Sequence, residues 1–217
     1  MRQLGWFGAE PLGSVLAIGA HSDDLEIGCG GTLLTLAEAA PDLEVTWVVL
    51  GAEGERAAEA RASAEAFLGG VRSANVIVHG FRDAFMPYHG ESVKEAFEHL
   101  KRVEPDLVLT HTRDDLHQDH RLACELTWNT FRDHLILEYE VPKWDGDLGR
   151  PNLYVPLADR IVERKLDLLE RYFPTQAGKH WYEAETFRGL MRLRGLECAS
   201  PSRYAEAFYA RKVVVSS

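Results

Sequence analysis

"SVLAIGAHSDDLEIGCGGTLLTLAEAA", residues 14–40, passes from an apolar run through a histidine and three acidic residues into a glycine cluster and a stretch of helical character. An apolar run followed directly by a helix is the first unit of a parallel α/β sheet. The alternation continues outward through "EVTWVVL" (44–50), "ERAAEARASAEAFLG" (55–69), "NVIVHG" (75–80), "SVKEAFEHLKRV" (92–103) and "DLVLTH" (106–111). The unbroken apolar character of "VTWVVL" and "LVLT" suits strands covered on both sides. The expected architecture is doubly wound α/β: a mainly parallel sheet with helices on both faces. After a helical stretch over 118–132, "LILEYEVPKWDGDLGRPNLYVPL" (135–157) is expected to form a strand and a long ordered loop. A helix is predicted over 158–172, with Ile161, Lys165, Leu168, Leu169 and Tyr172 on one face, and a final strand in "YAEAFYARKVVV" (204–215).

A chain of 217 residues suffices for one good core and is short for two, so one domain over 1–217 is expected. Its 46% hydrophobic and 27% charged residues are ordinary for a soluble globular protein. No segment approaches the roughly 18 apolar residues of a membrane span. "MRQLGWFGAEPLG" (1–13) lacks the apolar core of a secretory signal, which makes a cytoplasmic location the expectation. Cys29, Cys124 and Cys198 form no C-x-x-C pair and are read as free thiols. A net charge of −10 argues against a phosphate-tracking surface, so nucleic acid is not an expected partner and a small polar molecule is.

In open α/β sheets, ligands gather at the carboxyl ends of the strands. Two such places combine histidine with carboxylates: His21, Asp23, Asp24 and Glu26 after the first run, and "THTRDDLHQDH" (110–120) after the fourth. Four of the nine histidines fall there. Neutral imidazole plus carboxylate is a ligand set for zinc or iron, and a catalytic zinc takes about three protein ligands with one position open. His21, one of the two adjacent aspartates and one histidine of the second stretch would supply them. Neighbouring residues of an extended loop diverge, so the other aspartate is free to act as general base on a water whose pKa the metal lowers to about 7. His117 and His120, three apart, can face one cleft; the one that does not ligate, hydrogen-bonded to a carboxylate such as Asp119 or Asp115, would favour its imidazolium form and stabilise an oxyanion or protonate a leaving amine.

The glycines of "GCGGTL" (28–33) sit where a dinucleotide fingerprint would, but the fingerprint follows its strand at once, whereas acidic residues intervene here. A tight turn and helix start is the preferred reading of these glycines, with close helix packing as an additional role. A mononuclear iron oxygenase also uses two histidines and a carboxylate, but the α/β pattern argues against its β-sandwich framework. No G-x-S-x-G elbow supports a serine hydrolase. A metal-binding protein without turnover would leave the surplus carboxylate and histidine without a task.

"AHSDDLEIGCGGTL" and "DLHQDH" resemble the two signatures of the PIG-L/LmbE zinc-dependent de-N-acetylases, AHPDDxExxxGGTL and DxHxDH, in the same order. "PDLVLTH", "ERKLDLLERYFPTQ", "RLRG" and "YAEAF" extend the likeness over most of the chain. The resemblance implies a Rossmann-like domain that removes acetyl groups from N-acetylglucosamine-type sugars or conjugates, using Zn2+ or another divalent metal such as Fe2+. It implies His21, Asp24 and His120 as metal ligands, Asp23 as general base, His117 as electrophilic or acid partner oriented by Asp119, and Arg56 and Asp83 as substrate-binding residues. A helix-surface charge is the bland alternative for Arg56. Some relatives form trimers or hexamers, which leaves a homo-oligomer open. Ser22 departs from the usual proline and forgoes its fixed φ.

Overall fold

The computed structural model describes residues 12–214; the stretch read for a signal lies outside them except for its last two residues, as does Val215. Five parallel strands, β1 (Ser14–His21), β2 (Glu44–Gly51), β3 (Ser73–Val78), β4 (Leu107–His111) and β5 (Leu135–Tyr139), are joined by β6 (Leu153–Pro156) and β7 (Ala205–Ala210). The sheet order is β3-β2-β1-β4-β5-β7-β6, with β7 antiparallel to both neighbours. The helices are α1 (Asp24–Ala39), α2 (Gly54–Phe67), α3 (Gly90–Leu100), α4 (Gln118–Thr130), α5 (Asp159–Tyr172) and α6 (Ala184–Glu197). The expected α/β architecture is the one observed.

β1 lies at the centre of the five parallel strands and feeds two cores. Val15 and Ala17 join the core that includes Leu33 of α1, Phe67 of α2, Leu169 of α5 and Met191 of α6. Leu16, Ile18 and Ala20 join the one that includes Val93 and Phe97 of α3 and Ala123 of α4. Burying each large apolar side chain contributes about 1.5–3 kcal/mol, so both layers are fastened through this strand. From β1 the chain runs outward to β3 and then crosses to β4 on the other side. The reversal opens a crevice at the carboxyl ends of β1 and β4, the usual ligand position in such sheets.

The glycine cluster is not a turn. α1 begins at Asp24, placing Gly28, Gly30 and Gly31 inside the helix. A Cβ at Gly28 would stand 2.2 Å from Cδ2 of Tyr139, and one at Gly31 would stand 2.6 Å from Cδ1 of Leu157. Absent side chains let α1 lie almost against the sheet. The approach also admits Glu206 of β7, whose carboxylate accepts from the N–H groups of Gly31 (2.7 Å) and Thr32 (2.6 Å), while Lys165 of α5 donates to the Ile27 carbonyl (2.6 Å) and to Glu206 (2.7 Å). Ile27 C=O and Gly31 N–H are the groups a regular helix pairs with each other. A buried ion pair here takes both.

Two further differences lie toward the C-terminus. The long loop over 135–157 contains β6, and α6 and the antiparallel edge were not anticipated. α5 places Lys165 on its buried face as expected, although as half of an ion pair.

Candidate metal centre and its cleft

His21 is the last residue of β1, and Asp24 opens α1 three residues later. Asp24 folds back so that its Oδ2 accepts from the His21 backbone N–H at 2.6 Å. His117 is the N-cap of α4, and His120 lies in its first turn. β1 and β4 are neighbours, so residues 99 positions apart meet: Nδ1 of His21 is 3.1 Å from Nε2 of His120. Oδ2 of Asp24 lies 3.4 Å from each of those nitrogens. Among the described residues, three overlapping clusters have ligand atoms close enough for a metal: His21, His117 and His120; His21, Asp83, His117 and Asp119; and Asp24, His111 and His120.

His120 Nδ1–H donates to Asp115 Oδ2 at 2.9 Å, which fixes the ring with Nε2 toward the cluster. His111, the buried last residue of β4, stacks on His120 with ring centroids 3.9 Å apart. Its Nε2 is 2.9 Å from the Ala20 N–H and 3.2 Å from Asp24 Oδ2, and burial pushes its pKa down to about 4. His111 thus belongs to the buried cluster; sequence reasoning counted it among the histidines of the second stretch but gave it no role, although its place at a strand's carboxyl end was a signal.

Asp23 and Asp24 diverge. Burial works to raise the pKa of Asp24, but His120, His111 and His21 outweigh it and hold the carboxylate well below its usual range. Burial and the adjacent Asp24 push Asp23 up, with Arg56 opposing. Arg56 of α2 donates to Asp23 Oδ1 (3.1 Å) and to the Ser22 hydroxyl (3.0 Å). Ser22 thus gives the arginine an anchor that proline would not. The other oxygen of Asp23 is buried without a hydrogen-bond partner.

Asp119 departs from the expected part. Its buried carboxylate accepts from the N–H groups of Ala84 (2.7 Å) and Met86 (3.2 Å) and lies 3.3 Å from His21 Nε2. It therefore fixes the loop after β3, where Ala84 takes a positive φ of 64°. His117 is met by the Asp119 backbone instead, whose N–H donates to Nδ1 at 3.3 Å. Nor is His117 held as imidazolium: burial and the neighbouring His21 lower its pKa, because the nearest carboxylates serve His21 and His120. His21 itself is held well above the ordinary histidine range, its burial outweighed by Asp24, Asp119 and Asp83. Asp83 Oδ1 reaches His21 Nε2 at 3.0 Å, and that hydrogen bond pulls the Asp83 carboxyl down.

The eight residues that the resemblance assigned to metal, catalysis or substrate come to one place. His21, Asp23, Asp24, Arg56, Asp83, His117 and His120 line a cleft of about 280 Å³, together with Lys143, Trp144, Lys179 and Trp181, and Asp119 lies beneath it. The cluster is buried at its floor and open at one side, as a cation site with access for a small molecule requires.

Fold and site define a class: doubly wound α/β proteins with a histidine–aspartate cluster, suited to a divalent cation, at the carboxyl edge of the sheet. The chain belongs to the PIG-L family, whose profile, described as GlcNAc-PI de-N-acetylase, matches residues 16–131. Among solved structures it resembles the N,N'-diacetylchitobiose deacetylase from Pyrococcus horikoshii, with 22% identity, a TM-score of 0.69, and 91% of this chain and 83% of that one covered. The conserved protein TT1542 from Thermus thermophilus gives 20% identity and a TM-score of 0.73 over 94% of this chain and 96% of that one. The 4-carboxy-2-hydroxymuconate hydratase from Pseudomonas putida gives 20% identity and a TM-score of 0.74 over 95% and 99%. A hydratase among these neighbours means that the fold alone does not choose the reaction. No helix among the described residues is long and apolar enough to cross a membrane.

Proposed function

We propose that the chain is a metal-dependent N-deacetylase that releases acetate from an N-acetylglucosamine-type sugar or sugar conjugate. One observation carries the reading: a triangle of three donor atoms beside a buried carboxylate oxygen that has no partner. Nδ1 of His21, Nε2 of His120 and Oδ2 of Asp24 are separated by 3.1, 3.4 and 3.4 Å. Donors on a tetrahedral zinc with bonds of about 2.0–2.1 Å stand about 3.3 Å apart, so the set fits zinc. Two imidazoles and a carboxylate also suit Fe2+ and other divalent ions. His21, Asp24 and His120 would hold the metal. When bound, it supplies Lewis-acid polarisation of the acetyl carbonyl and lowers the pKa of water to about 7.

The remaining groups have separable tasks. Asp23, with Arg56 on Oδ1 and Oδ2 free, takes a proton from the attacking water, and its raised pKa makes it a better base than an exposed aspartate. Because His117 Nδ1 accepts from a backbone N–H, its hydrogen resides on Nε2. A neutral Nε2–H is suited to the oxyanion that forms as water adds to the carbonyl carbon. When the C–N bond breaks, Asp23 returns its proton to the amine, leaving acetate and the free amino sugar. Arg56 and Asp83, both facing the cleft, serve the sugar hydroxyls.

The test is acetate release by zinc-loaded protein from a panel of N-acetylglucosaminyl compounds, with Asp23→Ala alongside. Release from at least one compound is expected, with the variant slower by about 10²–10⁴. Silence across the panel from zinc-loaded protein would instead favour a metal-dependent hydrolase of another small amide, or a metal-binding protein without turnover.

A further inference from the structure

The cleft has an outer half that the deacetylation chemistry does not use. Trp144 lines it and is 70% exposed, an unusual position for the largest apolar side chain. It is not loose. Lys143 beside it is bound by Asp115 Oδ1 at 2.9 Å, and Asp147 accepts from the Leu116 N–H at 2.8 Å, so both flanks are pinned to the segment between β4 and α4. At the base of the same loop, Glu140 takes the Gly149 N–H at 2.9 Å and pairs with Arg194 at 2.8 Å. The Trp144 ring stacks on His180, centroids 5.1 Å apart and planes 17° from parallel. His180 comes from a second segment, held by the Lys179 N–H to Gln176 and by the Tyr182 hydroxyl to Leu169. Two anchored loops thus present one rigid aromatic face beside the metal cluster.

We propose that Trp144, backed by His180, is the platform of a second sugar subsite that takes the pyranose ring attached to the N-acetylated one. This rests on the deacetylase reading above and makes its substrate class a disaccharide or longer. A pyranose has an apolar C–H face that packs on an indole and a rim of hydroxyls that need partners. Asp145, next to Trp144 in sequence, and Lys179, next to His180, also line the cleft and supply a carboxylate and an ammonium; neither makes an ion pair among the described residues, and Lys179 Nζ sits over the Trp181 ring at 5.6 Å.

The experiment compares kcat/KM for N-acetylglucosamine, N,N'-diacetylchitobiose and 4-nitrophenyl N-acetylglucosaminide with wild-type protein, Trp144→Ala and Trp144→Phe. The disaccharide is expected to exceed the other two by about tenfold, with the disaccharide-to-monosaccharide ratio falling to about one in Trp144→Ala and partly restored in Trp144→Phe. A ratio that survives Trp144→Ala, or a Trp144-dependent preference for the aryl glycoside, overturns the proposal. Calorimetric titration of wild type and Trp144→Ala with the disaccharide separates the two readings. If no compound yields acetate but the disaccharide binds through Trp144, deacetylation fails and the subsite stands. Disaccharide binding equal in both proteins, or absent from both, sinks the subsite.

Discussion

Replacing Gly28 by alanine sets two effects of one methyl group against each other. In an exposed helix interior the change stabilises by about 0.5–1 kcal/mol, through lower backbone entropy in the unfolded chain. At Gly28 the new Cβ would stand 2.2 Å from Cδ2 and 2.8 Å from Cγ and Cε2 of Tyr139, so the ring must move. Tyr139 is fully buried, and its hydroxyl donates to the Ile18 carbonyl at 2.8 Å. Overpacking costs about 1–3 kcal/mol, and losing that hydrogen bond in a buried place adds about 1–3. After the helix gain, a net loss of about 1–5 kcal/mol is expected, or roughly 2–20 °C in Tm for a chain of this size. Gly189 in α6 is the control, since a Cβ there meets nothing within 4 Å. Thermal and urea unfolding of both variants should move in opposite directions. If Gly28→Ala is as stable as wild type, the glycines are not spacers between helix and sheet. The Tyr139 ring also lies 4.8 Å from that of His111, whose Nε2 touches Asp24, so weaker zinc binding should accompany the lost stability.

Other expectations follow from single contacts. Asp115→Asn, which weakens the hold on His120 Nδ1, should raise the zinc Kd by about 10–100-fold in a chelator competition. Lys165→Met strands Glu206 in the interior and should cost about 3–5 kcal/mol in urea unfolding, while adding Glu206→Gln should recover part of it. Glu26 is fully buried with neither carboxylate oxygen partnered, and burial raises its pKa well above 4.5. The folded state therefore holds this proton more tightly than the unfolded chain does; the resulting stability is full below about pH 4.5 and is lost as pH rises. Glu26→Gln should gain on wild type by about 1 kcal/mol or more between pH 5 and pH 8. His117→Ala should slow acetate release about 10²–10³-fold yet keep the basic limb of the pH profile; loss of that limb would make His117 the acid.

The sheet was legible because β1, β2 and β4 carry nearly unbroken apolar runs and a helix follows each of the first four strands. Histidine and aspartate at the strand ends located the cleft. What stayed hidden depends on partners distant in sequence. Gly28 and Gly31 look like turn residues until Tyr139 and Leu157 are seen against them. Asp119 seems to belong to His117, two residues away, until the loop carrying Ala84 arrives to claim its carboxylate. α6 carries Gly189 and Gly195, which weaken a helical pattern; Gly195 is required because Arg203 O would lie 2.1 Å from a Cβ there. β6 is four residues long within a Gly- and Pro-rich stretch, and pairs only with β7.

The most direct measurement takes zinc-reconstituted wild type and Asp23→Asn, with metal content and acetate release from the same N-acetylglucosaminyl compound determined on each sample. Both should hold about one equivalent of metal, with acetate and free amine appearing in equal amounts from wild type and at least about 10² more slowly from the variant. Metal-loaded wild type that releases no acetate, or a variant that matches its rate, would contradict the account.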